Sequence, residues 1–159
     1  MFRKPGRMAM APEFKKAQDN MQPGVITADG FLGNERINLV RIIARDESTM
    51  ERLGISFEDA ANRLDYLMSE GRKGLGEPVS IERTWLVRTD EARGHLPSPF
   101  EDGIFRKVNA TIVRLDGPKD RYLRVTALSL HLMRTWHFLQ GKEAAFRLEP
   151  EDLKYVLGL

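Results

Sequence analysis

The hydrophobic period of this chain changes twice, and that change limits the folds open to it. From Asn34 to Leu53 apolar residues fall at Leu39, Val40, Ile42, Ile43, Met50 and Leu53, a helical stripe that opens at the plausible cap Asn34 and closes at Gly54. A second stripe, Phe57, Ala60, Ala61, Leu64, Leu67 and Met68, sits behind Ser56 and Asp59, whose S-x-x-D spacing is a capping pattern, and it stops near Gly71. Between Val79 and Leu128 the period drops towards two. VSIERTWLVRT reads as one strand, while IFRKVNATIVRL and RYLRVTALSL flank DGPKD, whose turn chemistry makes Ile104 to Leu128 an antiparallel hairpin. Helical spacing returns over His131 to Gln140, followed by an extended AFRL and a short helix begun by EPEDL.

Helices, strands and helices in separate blocks predict an α+β fold: an antiparallel sheet of about three or more strands, an N-terminal αα-hairpin and C-terminal helices. Alternating strands and helices, the mark of a parallel nucleotide-binding sheet, are absent from the pattern. A chain of 159 residues suits one domain, here residues 23–159. Residues 1–22 read as a flexible basic tail: Arg3, Lys4, Arg7, Lys15 and Lys16 face a single Glu13, and Pro5, Gly6 and Pro12 interrupt regular structure.

The net charge is only +2, so nucleic acid is expected as a partner only through weak, sequence-indifferent contact with that tail. No run approaches the length of a membrane span, and the basic N-terminus lacks the apolar stretch of a secretory signal, so a cytoplasmic location is expected. Zero cysteines exclude disulfides, a thiolate nucleophile and cysteine-based metal sites.

ERLGISFEDAANRLDYL has the outline of a helix-turn-helix. Its second helix would present Glu58, Asp59 and Asp65 to DNA with only Asn62 and Arg63 to read bases, and phosphate repulsion opposes that use. Phosphate-loop, dinucleotide-binding and serine-hydrolase motifs are missing from the sequence.

The candidate chemistry gathers in three places. SLHLMRTWHFLQGK, residues 129–142, combines a core stripe of Leu132, Met133, Trp136 and Leu139 with a polar face bearing His131, Arg134 and His137, and ends in Gln140 and Lys142. The two histidines are six residues apart, on different sides of a straight helix, so they cannot share a metal, and no metal or cofactor is expected. DEARGHLPSPFEDG, residues 90–103, carries Arg93 and His95 in what reads as a long loop between strands. Asp29, in TADGFLG, is the third candidate, although Asp-Gly is also ordinary turn chemistry.

These residues suggest an anion site in which Arg134 and His137 approach Arg93 or His95, with Gln140 and Lys142 at the helix end. Two functions fit. One is a small non-catalytic module that binds an anionic ligand or a protein partner. The other is a small enzyme with His95, His131, His137 or Asp29 as acid or base and arginine holding the anion.

Overall fold

A computed structural model describes residues 10–159. Along them run α1 (Pro12–Asn20), α2 (Leu39–Leu53), α3 (Phe57–Arg72), β1 (Val79–Ile81), β2 (Trp85–Pro97), β3 (Ile104–Arg114), β4 (Tyr122–Thr126), α4 (Ala127–Trp136) and α5 (Pro150–Leu157). The strands form one antiparallel meander in the order β1-β2-β3-β4, which establishes the α+β class and the hairpin over 104–128. Among the described residues no helix is long and apolar enough to cross a membrane.

Strand alternation decides which face is buried. Val87, Val108, Ala110, Ile112, Leu123 and Val125 point under α3 and α5 and form the larger of two apolar clusters, each large side chain contributing about 1.5–3 kcal/mol through burial. Helix α3 can approach β2 because residue 71 is glycine: a Cβ there would overlap Val87 Cγ1. Trp85 Nε1 donates to the Val156 carbonyl at 2.7 Å, satisfying an acceptor near the end of α5. A smaller cluster, with Ala17, Met21, Phe31, Leu39, Ile42 and Phe138, joins α1, α2 and the loops beside them. Helix α4 bridges the two, giving Leu130 and Met133 to the first and Leu128 and Leu132 to the second.

Several boundaries differ from the sequence expectation. The expected tail contains α1: Pro12 stands at its start, where a missing N–H costs nothing, and Ala17 and Met21 are fully buried. The rest of that tail, residues 1–9, lies outside the described residues. Helix α2 begins at Leu39 because Asn38, not Asn34, caps it, accepting from the Arg41 N–H at 2.9 Å. The Ser56 cap holds as expected, its hydroxyl accepting from Asp59 N–H at 3.0 Å.

VSIERTWLVRT is a tight hairpin instead of one strand, with Glu82 and Arg83 both left-handed (φ 53° and 54°) although neither is Gly or Asn. Most of the expected loop 90–103 is strand. β2 continues to Pro97 paired with β3, absorbing Arg93 and Gly94 as a bulge, and only Ser98 to Gly103 turn. Helix α4 starts at Ala127, four residues before the expected His131, because Thr126 and Ser129 form a reciprocal capping box, and it ends at Trp136. AFRL is not a strand; it belongs to a loop that runs from His137 to Glu149.

Candidate functional site

The polar residues of α4 do not share a site. His137 closes the helix in a left-handed conformation, stacks on Phe57 with ring centres 4.0 Å apart, and donates from Nδ1 to Glu47 Oε2 at 2.7 Å. Arg134 turns to α3, donating to Asn62 Oδ1 at 3.1 Å and standing 3.7 Å from Asp65. Arg93 and His95 are exposed on the β2–β3 ribbon, with His95 paired in register with Arg106. The expected recess of Arg134 and His137 with Arg93 or His95 is therefore not formed. Because the helix stops at Trp136, His137 is delivered to α2 and α3, away from the ribbon.

Other residues connect α4 to the hairpin tip. Asp102 Oδ2 accepts from His131 Nε2 at 2.9 Å and from Trp136 Nε1 at 2.8 Å, while Trp136 stacks on Phe100 and His131 on Phe105. Burial pushes the Asp102 carboxyl up, but hydrogen bonds from Ser98, Trp136 and His131 outweigh it and hold the group below its ordinary value. Thr135 Oγ1 lies 3.3 Å from His131 Nδ1, so a hydroxyl, an imidazole and a carboxylate follow one another as in a hydrolase. Here the imidazole is occupied by stacking and by Asp102, and Thr135 stands exposed on α4. The group works as a staple between two elements.

Asp29 and Gln140, by contrast, do meet. They line a cleft of about 680 Å³ between loop 26–33, loop 140–146 and the sheet face opposite the main core. Lys107, Asn109 and Thr126 lie along the sheet side, Asn109 and Thr126 being register partners. Phe31, Leu96, Leu128 and Phe146 supply apolar surface, and Glu143 joins Asp29 as a second carboxylate. That size is ordinary for a small-molecule site. Sequence reasoning passed over Lys107 and Asn109, yet they occupy the polar positions that alternate with Val108 and Ala110, a parity that places them on the open face.

Backbone contacts join the two loops. Gly141 N–H donates to the Phe31 carbonyl at 2.9 Å, Asn34 N–H to the Lys142 carbonyl at 3.0 Å, and Lys142 N–H to Glu35 Oε2 at 3.0 Å. The approach requires glycine at 33 and 141, since a Cβ at either would overlap the carbonyl oxygen opposite, of Lys142 and of Leu32 respectively. Glu35 is itself gripped by both terminal nitrogens of Arg45, at 2.9 and 2.7 Å, and chiefly this bond holds its carboxyl below the ordinary value. Behind the loop, Arg147 makes a bidentate pair with Asp46 on α2 at 2.8 and 2.9 Å, both side chains being almost wholly buried. The exposed Lys142 thus contributes its backbone to the clasp and lies outside the cleft lining.

Three features make the cleft receptive. Gln140 is 5% exposed, lines the cleft, and its amide makes no hydrogen bond among the described residues. It is also left-handed, φ 72°, a conformation that costs a non-glycine residue on the order of 1 kcal/mol. Lys107 has no ion pair among the described residues, whereas neighbouring Arg106 is paired with Glu91. Finally, Thr126 and Leu128 are the cap and second residue of α4, so the positive end of that helix borders the cleft.

Two other clefts, of about 590 and 440 Å³, gather around Arg121 and Arg147, but Asp152 and Asp46 already occupy those guanidinium groups. Among the described residues no group of three or more His, Asp or Glu side chains could hold a metal ion. Comparison of the chain with protein-family models, with curated proteins and with solved structures finds no match to any of them.

Proposed function

We propose that this chain is a small, non-catalytic cytoplasmic module that binds an organic anion in the cleft between loops 26–33 and 140–146. The observation that carries this reading is Gln140, a residue 5% exposed that lines the cleft and whose amide makes no side-chain hydrogen bond among the described residues. The amide reaches the solvent of the cleft, so a ligand that bonds it exchanges water for a hydrogen bond worth about 0.5–1.5 kcal/mol. The N-terminus of α4 favours a negative charge in the cleft, and Lys107, whose ammonium lies beside Gly94, adds a cation at its ribbon end.

The observations favour binding over catalysis because none of the three histidines lines the cleft, and each hydroxyl that does belongs to a threonine. They also speak against DNA reading by α3. Its exposed Glu58, Asp59 and Asp65 repel phosphate, and Asn62 is engaged by Arg134.

The test is a thermal-shift screen of organic anions against their neutral analogues, followed by amide chemical-shift mapping of whatever stabilises the protein. Stabilisation by anions, with shifts concentrated at Asn109, Thr126 and Gln140, is the expected result. Anions that stabilise while shifting residues elsewhere, or none that stabilise, would defeat the reading.

A further inference from the structure

We infer that the free edge of β4 is a docking site for an extended acidic peptide, which adds to the sheet as a further strand. In the order β1-β2-β3-β4 only one side of β4 is paired. The direction of its backbone groups follows from the helix cap. Thr126 N–H donates to Ser129 Oγ at 2.8 Å, so it points away from β3, and in an antiparallel ladder every second residue repeats that direction. Tyr122 and Arg124 therefore turn their N–H and C=O groups outward as well, and these groups make no hydrogen bond among the described residues.

Space lies beside that edge. The cleft of about 590 Å³ is lined by Tyr122 and Arg124 of β4, by Asp120 and Arg121 before them and by Ala145 and Arg147 of the loop after α4. Most of its charge is already spoken for: Arg121 lies over the Tyr155 ring at 4.0 Å and pairs with Asp152 at 3.0 Å, and Arg147 is held by Asp46. What stays open is the backbone of β4 and the Arg124 side chain, which rests over Phe146 at 4.9 Å and makes no ion pair among the described residues.

Register sets the chemistry of the occupant. Arg88, Thr111 and Arg124 form one row across the open face of the sheet, and no carboxylate stands in it. A strand added at β4 places one side chain next to Arg124 in that row, and an Asp or Glu there supplies the opposite charge. Asp90, in the neighbouring row, is bonded by Asn109 at 3.4 Å, and Asp120 stands in the turn next to Lys119. Further along the strand the exposed Tyr122 offers its ring to an apolar or aromatic neighbour. The occupant is thus a short alternating segment, with an acidic side chain beside Arg124 and an apolar one beside Tyr122. A second copy of β4 fits poorly, because it would bring its own Arg124 to the same seam.

The experiment titrates the full chain, labelled with ¹⁵N, with acetyl-Glu-Thr-Tyr-Thr-Glu-amide, whose symmetry permits either strand direction. One control replaces both glutamates by lysine. The other is N-methylated at the tyrosine and the glutamates, which keeps the side chains and removes the N–H groups that face β4. The parent peptide should shift the Tyr122 and Arg124 amides and slow their exchange, and each control should bind about tenfold more weakly. Arg124→Glu, at an exposed position, should leave the fold intact and reverse the preference between the acidic and lysine peptides.

An N-methylated peptide that binds as well as the parent overturns strand addition, and a lysine peptide that does so overturns the acidic occupant. Shifts confined to residues away from β4, or no shift with any peptide at millimolar concentration, overturn the inference as a whole. Protection of the β4 edge that grows with protein concentration in the absence of peptide gives the edge to a second copy and overturns it too.

Discussion

The polar face of α4 and the cleft beside its N-terminus contain the same kinds of side chain in opposite states. On the helix, His131, Arg134 and His137 each have a carboxylate or amide within reach, respectively Asp102, Asn62 with Asp65, and Glu47. In the cleft, Gln140 and Lys107 have none among the described residues. A cluster of histidine and arginine in sequence therefore marks a seam between elements here, and the receptive groups are those whose hydrogen-bonding capacity is left over.

The sharpest way to break this contrast is to unmake the support behind the cleft. Asp46→Ala takes the bidentate partner from the buried Arg147 and leaves it Glu149 alone as counter-ion, so the loss should be about 3 kcal/mol by urea denaturation, with loop 140–146 released. If Asp46→Ala cost less than Trp136→Ala, the Arg147–Asp46 pair would not be what supports loop 140–146. Trp136→Ala should cost about 2 kcal/mol, below the 3–5 typical of full burial, because the ring is only partly buried in the smaller cluster. Amide exchange should then quicken in α1, whose Phe14 rests edge-on against that indole.

The staple at Asp102 gives a pH test. Its folded carboxyl titrates below the ordinary value, so its contribution is complete above the unfolded pKa and is lost as pH falls from about 4 through the lower folded value. Asp102→Asn should remove that acid-dependent part of the stability curve, and an unchanged curve would show that the staple is not charge-dependent. The smallest effect belongs to Arg134→Ala. Its ion pair with Asp65 is well exposed, so denaturation should report less than about 1 kcal/mol and ligand binding should be unaltered.

Sequence made the helix–strand segregation, the Ser56 cap and the β3–β4 hairpin legible, because each depends on neighbours within a few residues. It misplaced β2, where Gly94 and Pro97 look like loop signals but β3 supplies a partner for the extended backbone. It missed α1, since a proline at a helix start and a proline that breaks a helix read alike until burial of Ala17 and Met21 distinguishes them. Of the candidate residues, Asp29 and Gln140 reached the cleft for reasons no local pattern could show, since loops from opposite ends of the described chain create it.

The clasp between Asn34 and Glu143, whose side chains bond at 2.6 Å across 109 residues, also has a temporal consequence. Such a closure carries a large loop entropy and forms only once the intervening sheet has brought its ends together. The cleft is then among the last parts of the chain to assemble and among the first to open, so an occupant would act as a cross-link between the two ends and slow unfolding without adding to the hydrophobic core.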